Sequence, residues 1–163
     1  MRVLGIDPGI ATVGFGIIDT ERGRHKLIGC GAIRTPANTS ITSRLDSIFE
    51  DVGKLLRKFS PDAMAVEELF FNTNATTGIS VAQGRGVILL AAHRFGVPVY
   101  EYAPLQVKLA VTGYGRADKK QVIEMVQRLL AMKVPPKPDD AADALAVALC
   151  HARSSTSLMN RDY

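Results

Sequence analysis

The feature that most constrains the fold is the order in which two periodicities follow each other. The first 34 residues hold only strand-like segments: Val3–Asp7, Thr12–Asp19 and His25–Arg34. They are short, apolar or alternating, and separated by turns built on Pro8-Gly9 and Arg22-Gly23. Connections this brief leave room only for an antiparallel meander. The spacing then changes to that of helices. From Ser40 to Phe59 the apolar residues Leu45, Ile48, Phe49, Val52, Leu55, Leu56 and Phe59 recur at i, i+3, i+4 and i+7, and Pro61 ends the run. A fourth strand is expected over Ala63–Glu68, a helix over Gly78–Phe95, a fifth strand over Pro98–Tyr102 and a short helix over Pro104–Val111. Asp118 is placed to cap a helix running to Met132, and a last helix starts near Asp139 after the stiff Pro135-Pro-Lys-Pro138 segment. A meander followed by alternating helix and strand predicts a mixed α/β sheet covered on both faces. The chain of 163 residues suits one domain over 1–153, followed by a Ser-rich tail over 154–163 that is expected to be mobile.

Composition excludes several classes. Hydrophobic residues are 47 % and charged residues 22 %, so the chain is neither disordered nor fibrous. No apolar run is long enough for a membrane helix, and the N-terminus lacks the apolar stretch of a signal peptide. The expected setting is cytoplasmic, with no membrane partner. Cys30 and Cys150 lie in apolar periodic segments outside any metal-binding spacing and read as buried thiols. The charge is uneven. Residues 104–137 hold seven Lys and Arg (Lys108, Arg116, Lys119, Lys120, Arg128, Lys133, Lys137) against Asp118 and Glu124, a surplus of five in a chain whose net charge is +4. Such a segment suits an anionic partner, or simply a solvated helix face.

The acids carry the chemistry. Asp7 ends the first strand, on the face it shares with Val3 and Gly5. Glu67 ends the fourth, on the face of Ala63 and Ala65, whereas Glu68 has bulky companions and reads as a rim residue. The small neighbours suggest room for a ligand in front of both carboxylates. Strand ends of an open α/β sheet are where ligands usually bind. In Asp139-Asp-Ala-Ala-Asp143, spacing alone allows either Asp139 or Asp140 to share a face with Asp143. Asp139 follows Pro138 and reads as an N-cap, which leaves Asp140 and Asp143 pointing inward. Gathered acids repel one another and need a cation. An all-oxygen donor set selects Mg²⁺ or Mn²⁺, and two such ions about 4 Å apart can drive phosphodiester hydrolysis.

In that order and spacing, Gly5-Ile-Asp-Pro-Gly9, Gly14-Phe-Gly16, Ala65-Val-Glu-Glu-Leu-Phe70, Gln106-Val-Lys108 and Asp140-Ala-Ala-Asp-Ala-Leu145 resemble the RuvC family of Holliday-junction resolvases. The resemblance runs from about residue 2 to residue 151. It implies an RNase H-like mixed five-stranded sheet with helices on both faces. It implies a homodimer that cuts four-way DNA junctions by paired symmetric nicks in recombination and repair. It also implies Mg²⁺, for which Mn²⁺ substitutes, with one or two ions per subunit, and a branch-migration motor of the RuvA and RuvB type as partner. The family's four acids fall on Asp7, Glu67, Asp140 and Asp143, its junction-facing aromatic on Phe70, and its DNA-contacting lysines on Lys108 and Lys119. Arg116 and Lys120 add positive charge beyond the pattern, and Arg116 joins the DNA-contact candidates.

The remaining residues have plainer readings. Gly78–Phe95 is apolar nearly all round, so it is expected to be buried on one side by the sheet and on the other by a second subunit, with Gly84 and Gly86 permitting close approach. Phe71 reads as a hydrophobic staple, Tyr100 and Tyr102 as core, and His151 as a helix C-terminal residue. Two other function classes compete. A glycine-rich turn after a strand also suits an actin-like phosphotransferase, but such enzymes need a second, similar domain. A non-catalytic nucleic-acid-binding module accounts for the basic segment but not for the inward acids.

Overall fold

A computed structural model describes the backbone of residues 1–69 and 75–159; of residues 75–77 and 156–159 it describes the backbone only. The meander is present as β1 (Arg2–Asp7), β2 (Thr12–Glu21) and β3 (Arg24–Arg34). There follow α1 (Ile41–Phe59), β4 (Ala63–Glu67), α2 (Ala75–Arg94), β5 (Val99–Tyr102), α3 (Pro104–Thr112), α4 (Lys119–Leu129) and α5 (Asp139–Met159). Local chemistry sets the helix starts. The Ser40 hydroxyl accepts from the Ser43 amide at the head of α1. The Asp118 carboxylate accepts from the Gln121 amide, and the Gln121 side chain accepts from the Asp118 amide, at the head of α4.

The sheet has five strands in the order β3-β2-β1-β4-β5. β1 and β3 pair antiparallel with β2, while β1–β4 and β4–β5 are parallel. Two cores flank it. Leu4, Ile6, Val13, Ile17, Met64 and Val66 point toward α1 and α2 and meet Ile48, Val52 and Ile88. Val3, Ile18 and Ala65 point the other way and meet α3, α4 and α5 through Val107, Val111, Val126, Leu145 and Leu149. The alternation along β1 and β4 is therefore the one the sequence predicts.

α5 is the central helix of the molecule. Ala141, Ala142 and every residue from Ala144 to Ala152 are buried. Small sheet residues permit this. A Cβ on Gly5 would fall on the Ala144 carbonyl oxygen and crowd Ala148, and one on Gly16 would strike Leu145. The space in front of Gly5 is thus filled by helix backbone. In α2, Ile88, Ala91 and Ala92 are buried, while Ile79 and Leu90 stand 59 % and 52 % exposed in the single chain. Gly84 packs within the chain, against the Gly9 carbonyl and Ile48, whereas Gly86 faces open space.

Candidate active site

β1 and β4 run parallel and end side by side, so Asp7 and Glu67 leave the sheet at the same edge. Glu67 shares the face of Ala65, which lies in the core under α5. α5 brings its own acids to this edge through a second small residue. Gly14 is the β2 partner of Asp7, and a Cβ there would fall on the Asp140 carbonyl oxygen. The helix backbone at Asp140 therefore rests directly on the strand beside Asp7. Asp143 follows one turn later.

Asp139 does not cap α5 from outside, as expected; it is the first helical residue, and the Ala141 amide donates to the Pro138 carbonyl. Its side chain is two-thirds exposed, with an oxygen 4.0 Å from the Lys119 ammonium.

The acids feel one another. Burial, then the charges of Asp143, Glu67 and Asp140, push the Asp7 carboxyl up to about 7. Burial, then Asp143, raises Glu67, against the opposing charges of Lys108 and Lys119. A cavity of about 210 Å³ opens beside them, lined by Glu67, Lys108, Lys119 and Asp143 over an apolar floor that includes Val107, Val122 and Ala146. The Lys119 Nζ donates to Asp143 Oδ2 at 2.8 Å. Burial opposes its charge, but the hydrogen bond and charge of Asp143 outweigh it and hold the ammonium above its ordinary value.

As placed, no three His, Cys, Asp or Glu side chains among the described residues stand close enough together to hold an ion. The donor set itself fits a hard divalent cation: it is all carboxylate, it lies at one strand edge, and Asp7 has several acids near it.

The structure thus brings together Asp7, Glu67, Asp140, Asp143, Lys108 and Lys119. Arg116 is exposed on the turn between α3 and α4, away from the cavity lining. Phe70 and Phe71 lie outside the described residues.

One buried polar group escaped sequence reasoning. His151 is 4 % exposed in the middle of α5, not at a helix end. Its Nδ1 lies 2.7 Å from the Tyr102 hydroxyl, and its ring centroid is 4.4 Å from that of Tyr100. Tyr102 is the β5 partner of Glu67. Tyr100 is half-exposed rather than core. The available signal was two tyrosines two apart on a strand, which must share a face and need something polar under them.

Comparison with known proteins decides what this edge belongs to. The family model for the crossover junction endodeoxyribonuclease RuvC matches residues 3–151. The chain belongs to the RuvC family. It is 58 % identical over 152 residues to the crossover junction endodeoxyribonuclease RuvC of Rubrobacter xylanophilus, covering 93 % of this chain and 85 % of that one. Among solved structures, Thermus thermophilus RuvC superposes with a TM-score of 0.89 at 39 % identity, over 96 % of both chains. T. thermophilus RuvC in complex with a Holliday junction substrate gives 0.88 at 37 % identity, again over 96 % of both. The fold is the RNase H-like mixed sheet that the motifs imply, and the chain is an endodeoxyribonuclease of this family.

Proposed function

We propose that this chain resolves four-way DNA junctions by paired, symmetric, metal-dependent hydrolysis of phosphodiester bonds, with Asp7, Glu67, Asp140 and Asp143 as the catalytic and metal-holding residues. The observation that supports it most directly is the meeting of β1, β4 and α5 at one sheet edge, where Asp7 is crowded by three other acids. When bound, Mg²⁺ (or Mn²⁺ in its place), as one or two ions per subunit, would supply charge neutralisation and an activated water. The protein's own residues do the rest. The four carboxylates fix the ion's place against the rigid strand ends. Lys108 and Lys119, which line the same cavity, hold the scissile phosphate by charge rather than by reading bases. Arg116 extends that cationic edge from the neighbouring turn, and Phe70 is assigned the unpaired base beside the cut.

An open four-way junction is roughly two-fold, so two equal sites related by a two-fold axis cut opposite strands symmetrically. The reading therefore includes a homodimer. It also includes a branch-migration motor of the RuvA and RuvB type as partner, and a cytoplasmic setting with the DNA. Among the described residues no helix is long and apolar enough to cross a membrane.

A synthetic four-way junction with each strand labelled in turn, incubated with the protein and Mg²⁺, tests the whole. Symmetric nicks on two opposing strands are expected, with none in chelator. Random nicking, or cutting of linear duplex at an equal rate, would overturn the assignment.

A further inference from the structure

Lys119 occupies an unfavourable place for a cation. It is the first residue of α4, where the helix dipole presents its positive end, and no acid lies in that first turn. The position is nevertheless rigidly set, because the reciprocal Asp118–Gln121 hydrogen bonds of 2.8 and 2.9 Å fix the start of the helix. What compensates, besides the Asp118 cap, is the acid cluster beside it. The Lys119 ammonium donates to Asp143 at 2.8 Å, stands 4.0 Å from Asp139, and acts electrostatically on Asp7 and Glu67. One side chain thus faces acids from β1, β4 and α5 together. The Asp143 oxygen it holds is at the same time withheld from any ion, and no three donors among the described residues are gathered for one.

We propose that Lys119 is the resident counter-ion of the acid cluster, and that a divalent cation enters by displacing it. This rests on reading Asp7, Glu67, Asp140 and Asp143 as the metal site. In the metal-free protein the ammonium partly neutralises the carboxylates and keeps Asp143 engaged. A divalent ion carries twice its charge and can accept several carboxylates, so it takes over the acids and frees the lysine. The lysine's four-carbon stem lets its head swing while α4 stays in place. A DNA phosphate in the cavity offers the freed ammonium a new partner. DNA and the divalent ion should therefore bind cooperatively, each promoting the other by the same factor. The lysine would delay loading of the metal until substrate is present.

The test measures metal binding, not cleavage. Mg²⁺ and Mn²⁺ are titrated calorimetrically into the wild-type chain and into Lys119→Met, without DNA. The expected result is binding at least about 10-fold tighter in the variant, equivalent to about 1.4 kcal/mol. A second readout uses the wild-type chain alone: labelling of Lys119 by an amine-reactive reagent, followed by mass spectrometry, should rise when Mg²⁺ is added and not when Na⁺ is added to the same ionic strength. It keeps the proposal testable if Lys119→Met folds poorly, which circular dichroism reports. Equal or weaker Mg²⁺ binding by a folded Lys119→Met, or labelling indifferent to Mg²⁺, overturns the exchange while leaving the metal site standing. If neither protein binds Mg²⁺ or Mn²⁺, the site assignment fails and the exchange falls with it.

Discussion

Asp7 carries a cost that burial, and then its acidic neighbours, impose. Its carboxyl titrates near 3.8 in an unfolded chain and at about 7 in the folded, metal-free protein. Below about pH 4 it is protonated in both states and contributes nothing. Between about 4 and 7 the folded state binds more protons than the unfolded one, so this residue's contribution to stability falls as pH rises through that window and stays low above it. Asp7→Asn removes the charge and keeps the shape. The metal-free variant should therefore be more stable than the wild type at pH 8, by on the order of 2 kcal/mol, and the gap should close as pH approaches 4. Thermal melts of both proteins in chelator across that range check it, and a gap that does not depend on pH would refute it. Saturating Mg²⁺ should stabilise only the wild type, by mass action on the folded state. The same substitution should lower junction cleavage at least about 100-fold, with junction binding in chelator equal or tighter. A gain in stability paired with a loss of activity is what a site that holds repelling charges for chemistry should show. Nicking by Asp7→Asn at wild-type rates would end the catalytic assignment.

Among elements, the decisive contact is α5 on the β1–β2 pair. Asp140 is brought to Asp7 by the absence of side chains at Gly5 and Gly14. Gly14→Ala places a methyl where the Asp140 carbonyl stands, and backbone cannot yield as a flexible side chain would. It should lift the first turn of α5, destabilise the protein by about 3 kcal/mol and weaken Mg²⁺ binding together with cleavage. Gly29→Ala on β3, where a methyl would meet only the Phe59 ring at 3.9 Å, is the control and should do neither. Full cleavage by Gly14→Ala would show that the acids do not depend on this approach. Sequence reading went furthest where the signal was local. Asp118 announces its helix by capping chemistry, and Leu45 to Phe59 announce a buried face by period. Asp7 and Glu67 stood out because each ended an apolar run. What Gly5 and Gly14 were for was not legible, because an open space and a space filled by another element look the same from one strand. α5 runs on past Ser154, where the sequence sets the start of the tail: the Ser154 and Ser155 hydroxyls donate back to the Cys150 and Ala152 carbonyls at 3.0 and 3.1 Å, and the helix continues to Met159. His151 is therefore mid-helix, under Tyr100 and Tyr102. Tyr102→Phe should cost about 1 kcal/mol in a denaturant melt, and an unchanged midpoint would show that the pair is not a structural hydrogen bond.

At the scale of the whole molecule, the proposed homodimer can be assigned to one surface. Ile79, Gln83, Gly86 and Leu90 follow the i, i+4, i+7, i+11 spacing of one helix face, and all four are exposed along α2. The opposite face of α2 is committed to α1 and the sheet. Gly86 leaves the middle of the outer face flat enough for another helix to lie close, as the sequence suggests, whereas Gly84 is used within the chain. An isologous contact across this face would pair α2 with its own copy about a two-fold axis, as two equal cuts on a two-fold junction require. Leu90→Arg puts a charge from each copy into that apolar contact without touching the buried residues Ile88, Ala91 and Ala92. Sedimentation equilibrium should give the wild-type chain the mass of two copies and Leu90→Arg the mass of one, with melting of the variant's fold little changed. On a junction held in a supercoiled plasmid, the wild type should linearise the circle by paired cuts, while Leu90→Arg should yield mainly singly nicked circles. A wild-type chain that sediments as a monomer would overturn the homodimer, and a Leu90→Arg variant that still dimerises and still cuts in pairs would place the two-fold axis elsewhere on the surface.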